Sequence, residues 1–249
     1  MKDNNIRFLH DCLLIDDKIL VIGDLHFGYG EQFHGKAVFP GQQLKDVIEK
    51  LSGVFDFLKK EKIKIKKIVL LGDVKHDFRK ITDIEWRETL EFLDFLKENT
   101  DDKCKVIVIK GNHDTKLAPI LRKRGILLKD FYKVSVGGKK ICFFHGDKLF
   151  KQCLDSQTGI LIFGHLHPAI TLEDKYKREK YKCFLRGKWK RKEVYILPSF
   201  SSVSYGYDFR NNYFVGNKFF IEDFRNFDVI IYNNKEKKGY NFGKLKKLI

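Results

Sequence analysis

The chain has 249 residues, 43% of them hydrophobic, with 49 basic and 33 acidic side chains giving a net charge of +16. That length and apolar share suit one domain, residues 1–249, with a substantial buried core. No apolar run approaches the ~18 residues of a membrane span, and Lys2, Asp3, Arg7, Asp11, Asp16, Asp17 and Lys18 interrupt the start, so a membrane helix and a secretory leader are excluded and a cytoplasmic protein is expected.

In chain order, Ile19-Leu20-Val21-Ile22 is an apolar run of strand length that leads into Gly23-Asp24-Leu25-His26. Leu44, Val47, Ile48, Leu51, Val54, Phe55 and Leu58 then recur at three- and four-residue steps, which predicts a helix over 42–60. Ile68-Val69-Leu70-Leu71 precedes Gly72-Asp73. Thr82 followed by Glu85 forms a capping box that opens a second helix, with Trp86, Leu90, Leu93 and Leu96 on its inner face. Val106-Ile107-Val108-Ile109 precedes Gly111-Asn112-His113-Asp114, and a short helix over 115–123, with Pro119 near its start, stops at Gly125. Ile141-Cys142-Phe143-Phe144 leads to His145-Gly146, and Ile160-Leu161-Ile162-Phe163 leads to Gly164-His165-Leu166-His167. Beyond Pro168 the pattern turns to antiparallel strands: 181–185 and 193–197 about a turn at Gly187, then 217–221, 228–232 and 240–245.

Five short apolar runs rich in β-branched residues, each ended by Gly or Asp, read as strands buried on both faces. Each delivers Asp, Asn or His just past its end, where open α/β sheets bind their ligands. All five groups can therefore meet at one edge of a sheet.

The ordered set D-x-H, G-D, G-N-H-D, H and G-H-x-H resembles the calcineurin-like metallophosphoesterases over residues 18–168. Gly-Asp-Leu-His with Gly-Asp-Val-Lys-His-Asp is similar, within that family, to the SbcD-type nucleases and their smaller archaeal relatives. The resemblance implies an α/β fold in which two sheets are sandwiched between outer helices (αββα). It implies two divalent cations, with Asp24, His26, Asp73 and His167 holding one, Asp73, Asn112, His145 and His165 the other, and Asp73 bridging. It makes His113 the group that protonates or stabilises the leaving oxygen, with Asp114 orienting its imidazole. Two cations ~3.5–4 Å apart clamp the attacking and leaving oxygens of a phosphoester and lower the pKa of a bound water. Imidazole, carboxylate and amide donors without a thiolate favour Mn²⁺, and Zn²⁺ or Fe²⁺ fit the same set.

His10, His34 and His76 lie outside this pattern and read as structural, although His76, three residues after Asp73, and Glu31 are placed to line the site. Cys12, Cys104, Cys142, Cys153 and Cys183 are odd in number and scattered; Cys12 and Cys142 read as small buried hydrophobes, and no disulfide framework is expected. Pro198-Ser199-Phe200-Ser201-Ser202 follows a strand and either edges the pocket or forms a simple turn.

The net charge attracts polyanions but equally fits a lysine-coated surface. Residues 175–192 are denser, with ten Lys or Arg against Glu179 alone, interleaved with Tyr176, Tyr181, Phe184 and Trp189. The stretch reads as a basic hairpin at about 175–193 whose Lys188, Trp189, Lys190 and Arg191 contact a nucleic acid, or as a solvated hairpin with its aromatics packed inward. Three functions are weighed: a two-metal phosphodiesterase or nuclease acting on DNA, RNA or a nucleotide through an activated hydroxide; a phosphomonoesterase or cyclic-nucleotide phosphodiesterase; and a non-catalytic interaction module. The complete set of ligands and His113 disfavours the last.

Overall fold

A computed structural model describes residues 6–29, 41–210 and 219–249. His34 and Glu31, and part of the expected strand at 217–221, lie outside the described residues. The first sheet holds β1 (Ile6–Leu9), β2 (Cys12–Ile15), β3 (Ile19–Ile22), β4 (Lys67–Leu70), β5 (Lys105–Ile109) and β6 (Leu128–Lys129) in that spatial order. β3, β4, β5 and β6 run parallel, so their C-terminal ends share one edge.

The chain continues through β7 (Phe131–Val136), β8 (Lys139–Phe144) and β9 (Thr158–Phe163), then β10 (Pro168–Glu173) and β11 (Arg178–Lys182), β12 (Phe184–Trp189) and β13 (Lys192–Ile196), β14 (Tyr207–Asp208), β15 (Asp228–Asn233) and β16 (Lys238–Lys244). The second sheet is ordered β16-β15-β12-β13-β9-β8-β7, and a third, small one is β11-β10-β14. β8, β9 and β13 are parallel, so they too end at a common edge.

Alternation of side chains splits the core into three layers. Val21, Val69, Leu71, Ile107 and Ile109 of the first sheet meet Ile141, Phe143, Ile160, Ile162 and Tyr195 of the second in the central layer. Helices α1 (Gln42–Lys60), α2 (Asp83–Glu98) and α3 (Ala118–Arg122) cover the outer face of the first sheet. The Thr82–Glu85 capping box is formed in both directions, and Gly125 follows α3 at φ 66°. The two packed sheets are as expected, but the outer layers are unequal: among the described residues no α-helix covers the second sheet. Its outer face packs instead on Ile170, Phe209, Phe224, Phe227 and Leu245.

Five further expectations are corrected. The five ligand-bearing strands belong to two sheets rather than one, β3 to β5 in the first and β8 and β9 in the second. The basic stretch is not one hairpin, since β11 lies in the small sheet while β12 pairs with β13 in the second. Their turn is at Lys190 and Arg191, both left-handed at φ 46° and 63°, as a two-residue hairpin that follows the strand twist requires; Gly187 lies inside β12 opposite Val194. Residues 219–221 form no strand, and Cys142 is joined to Cys153 by a disulfide, because β8 points Cys142 at the outer face where a short turn, Lys151–Leu154, presents its partner. Cys12, Cys104 and Cys183 are free. No helix of the described residues is long and apolar enough to cross a membrane.

Candidate metal centre

The ends of the two parallel sets of strands face each other across the sandwich, and backbone hydrogen bonds join their loops. His26 N–H donates to the Asp73 carbonyl at 2.8 Å and Phe27 N–H to that of Val74 at 2.9 Å, which continues the β3–β4 pairing past the strands. The Asp73 carboxylate accepts from His113 N–H at 3.0 Å, and that of Asp24 accepts from His165 N–H at 3.1 Å, so each carboxylate is held by the next loop over.

The loops are tightly bent. Asp24, His26, Asp73, His165 and His167 all have left-handed backbones, with φ between 43° and 62°. Non-glycine residues rarely adopt this region, and a cluster of them marks a backbone held for a purpose. The carboxylates also pass directly over neighbouring backbone: a Cβ added to Gly164 would lie 2.2 Å from Asp24 Oδ2, and one added to Gly111 would lie 2.1 Å from Asp73 Oδ1.

The side chains gather into three groups whose ligand atoms lie within 4.8 Å of one another: Asp24, His26 and His167; Asp73, His145 and His165; and His26, His76 and His113, which shares His26 with the first. In the first, His26 Nε2 faces His167 Nε2 at 3.3 Å and His167 Nε2 lies 3.2 Å from Asp24 Oδ1. In the second, His145 Nε2 lies 3.2 Å from Asp73 Oδ2, 3.1 Å from His165 Nδ1 and 3.0 Å from Asn112 Oδ1. Asp73 Oδ2 is also 3.7 Å from His26 Nε2, which places this one oxygen between these two groups.

The donor set fits a divalent cation. His145 Nδ1 donates to the Leu71 carbonyl at 2.8 Å, which fixes its tautomer and leaves Nε2 to face the cluster. Burial opposes a charge on His145, yet its hydrogen bond to Asp73 and the charges of Asp73 and Asp24 raise it to about 10. Burial lowers His26 to about 3, keeping its ring neutral and a potential ligand.

His113 sits beside the first two groups with Nε2 at 3.8 Å from Asp73 Oδ2. Its Nδ1 donates to the His76 carbonyl, and because a carbonyl only accepts, Nε2 is the atom free to gain and lose a proton. The expected role of Asp114 is corrected: its carboxylate accepts from the backbone N–H of Val74 at 3.0 Å and of Gly111 at 3.0 Å rather than from His113. It ties the Asp73 loop to the Asn112 loop. Burial, reinforced by the Asp73 charge, pushes it up to about 7.

His76, which its spacing after Asp73 places to line the site, does so, whereas Ser204 and Gln43 carried no signal as site residues. His76 Nδ1 lies 3.3 Å from His26 Nδ1, and its ring stacks on His113 with centroids 5.0 Å apart. Ser204 Oγ is 3.3 Å from His167 Nδ1. The 198–202 segment lies behind the centre: Ser199 Oγ donates to the Asp24 carbonyl at 2.8 Å, and Gln43 Nε2 donates to the carbonyls of Leu25 and His26 at 3.0 and 2.7 Å. His10 packs on Tyr232, away from the centre.

Lys188, Trp189, Lys190 and Arg191 are not brought to the site. β13 runs parallel to β9 with Ile196 opposite Phe163 at the ligand edge, so Lys192 and the turn before it lie four residues back along the strand. At ~3.3 Å per residue Lys192 is roughly 13 Å from that edge and the tip at Lys190 and Arg191 lies farther still. Trp189 packs against Phe220 on the outer face, with centroids 5.3 Å apart.

The calcineurin-like phosphoesterase family model matches residues 17–231. Among solved structures, the nuclease MPE of Pseudomonas putida is similar at 19% identity, with 91% of each chain covered and a TM-score of 0.57. The E. coli phosphoesterase YfcE matches at 13% identity over 91% of this chain and 98% of that one, with a TM-score of 0.44. An archaeal phosphodiesterase matches at 13% identity over 90% and 98%, with a TM-score of 0.38. A comparison with curated proteins finds no match.

Proposed function

The chain belongs to the calcineurin-like phosphoesterases, metal-dependent hydrolases of phosphoric esters, and on that premise we propose that it is a two-metal phosphodiesterase acting on nucleic acid. The observation that carries the reading is the meeting of two ligand groups at Asp73 Oδ2 with His113 beside it. Asp24, His26 and His167 would hold one cation and His145, His165 and Asn112 the other, with Asp73 shared between them. Two bound cations supply the Lewis-acid charge that polarises a phosphate and readies a water near neutral pH.

The chain's own residues supply the rest. His113, its Nδ1 fixed on the His76 carbonyl, presents Nε2 to the departing oxygen and gives it a proton. A nucleoside alkoxide is a poor leaving group, so a positioned acid matters more for it than for an activated ester. Asp114 keeps the two central loops in register, and Ser204 steadies the His167 ring. The net charge of +16 is compatible with an anionic polymer as substrate. The name of the P. putida nuclease is consistent with this choice.

The test is turnover by Mn²⁺-loaded protein of bis-p-nitrophenyl phosphate, the corresponding monoester, cyclic nucleotides, and single- and double-stranded DNA and RNA. The reading expects the diester and nucleic acid to be cleaved. Cleavage of the monoester or cyclic nucleotide alone would replace it with a small-substrate reading.

A further inference from the structure

We propose that Phe78, Arg79 and Lys80 form the subsite for the nucleotide on the leaving-group side of the scissile phosphate, Phe78 by stacking on its base and the two cations by contacting the next phosphate. The inference rests on the nucleic-acid reading above. Phe78 is 54% exposed, although fully burying a side chain of its size contributes ~1.5–3 kcal/mol. Its exposure is not that of a loose loop. Its ring packs on the His113 imidazole with centroids 3.5 Å apart, and its carbonyl accepts from the Thr115 hydroxyl at 3.0 Å.

The backbone around it is fastened from below. The wholly buried Lys75 ammonium donates to the carbonyls of Asp77 and Lys80, the latter at 3.1 Å, with Glu85 4.0 Å away. Glu85 Oε1 accepts from the backbone N–H of His76 at 2.9 Å and of Asp77 at 2.6 Å. Asp77 Oδ1 in turn accepts from the N–H of Arg79 at 2.7 Å and of Lys80 at 3.2 Å. A buried ion pair and seven hydrogen bonds thus hold an exposed phenyl ring and two exposed cations at a fixed place.

That place is set by the chemistry. The leaving oxygen takes its proton from His113, so whatever is attached to that oxygen lies on the His113 side of the centre. One imidazole separates the Phe78 ring from Asp73 Oδ2. A flat, hydrophobic surface there suits a nucleobase, which stacks on any aromatic face regardless of sequence, while the adjoining guanidinium and ammonium suit a phosphodiester strand. Lys116, also exposed, extends the same rim.

The experiment compares thymidine dinucleotides with analogues carrying an abasic tetrahydrofuran on either side of the phosphate, the leaving side being identified from the products. The wild type is expected to favour a base on the leaving side by about 5- to 150-fold in kcat/KM, the range of base–aromatic stacking. Phe78→Ala should bring that ratio to about one and Phe78→Trp should retain it; any change in the shared rate from disturbing His113 cancels in the ratio. In oligonucleotide binding, Arg79→Ser and Lys80→Ser should each flatten the slope of log K against log salt by about 0.7. A wild type indifferent to the leaving-side base, or a Phe78→Ala variant that keeps the preference, overturns the subsite while leaving the phosphodiesterase reading intact. Failure to cleave any dinucleotide, with p-nitrophenyl phosphate turned over, overturns both.

Discussion

Gly164→Ala is the smallest change that should dismantle one half of the centre. The added Cβ would sit 2.2 Å from Asp24 Oδ2 and 3.1 Å from Asp24 Cγ. Comfortable heavy-atom contact is ~3.5 Å, so the carboxylate must retreat by about 1 Å. It has nowhere free to go, because Asp24 is fully buried and held by His165 N–H at 3.1 Å and His167 Nε2 at 3.2 Å. A displacement of that size at a reacting centre costs ~10²-fold in rate. We therefore expect Gly164→Ala to lose about one of two bound Mn²⁺ in elemental analysis and ~10² in turnover of bis-p-nitrophenyl phosphate. Gly159→Ala, within the preceding strand β9, is the control: its Cβ meets nothing within 4 Å. Thermal unfolding should show both variants folded. A Gly164→Ala protein with two tightly held ions and the parent's rate would refute the placement of Asp24 as a ligand.

Three further outcomes follow from the geometry. His113→Ala should retain its metal and lose at least ~10²-fold in rate on an unactivated phosphodiester, and an unchanged rate would remove it from the chemistry. Lys75→Met strands the carbonyls of Asp77 and Lys80 and leaves Glu85 without its buried cation, so urea unfolding should register a loss of about 3–5 kcal/mol; a loss below about 1 kcal/mol would mean the pair does not anchor the loop. Replacing Lys188, Lys190 and Arg191 together by Ser should leave nucleic-acid cleavage unaltered, since the tip lies at the other end of the strand from the ligands, and a marked fall in kcat/KM would restore it to the substrate path.

What the sequence made legible was the local pattern. Val106-Ile107-Val108-Ile109 becomes β5 within one residue, and the leucine and valine spacing over 42–60 becomes α1, because apolar periodicity directly encodes which face is buried. The Asp, Asn and His side chains that the structure brings together were legible because each stands at the end of such a run. Which sheet a run joins was not, since a strand of β-branched residues pairs equally well in either, and only the closed topology puts β8 beside β9. Gly187 misdirected the turn because its lack of a side chain makes room for Phe227 rather than a bend, while Lys190 and Arg191 adopt left-handed backbones without glycine or asparagine. The role of Asp114 was hidden because its partners are backbone N–H groups, Gly111 of its own loop and Val74 brought from another. The support that Glu85 gives His76 was hidden, since its place in a capping box gives no hint that the same carboxylate also holds the His76 and Asp77 amides.

The claim on which everything else depends is that Asp73 joins two metal sites. Elemental analysis of Mn²⁺-loaded wild type, Asp24→Asn and Asp73→Asn, each desalted under the same conditions, tests it directly. Two ions, about one and nearly none are expected in that order, because Asp24 belongs to one group and Asp73 Oδ2 lies between both. Two full equivalents in Asp73→Asn would contradict the account.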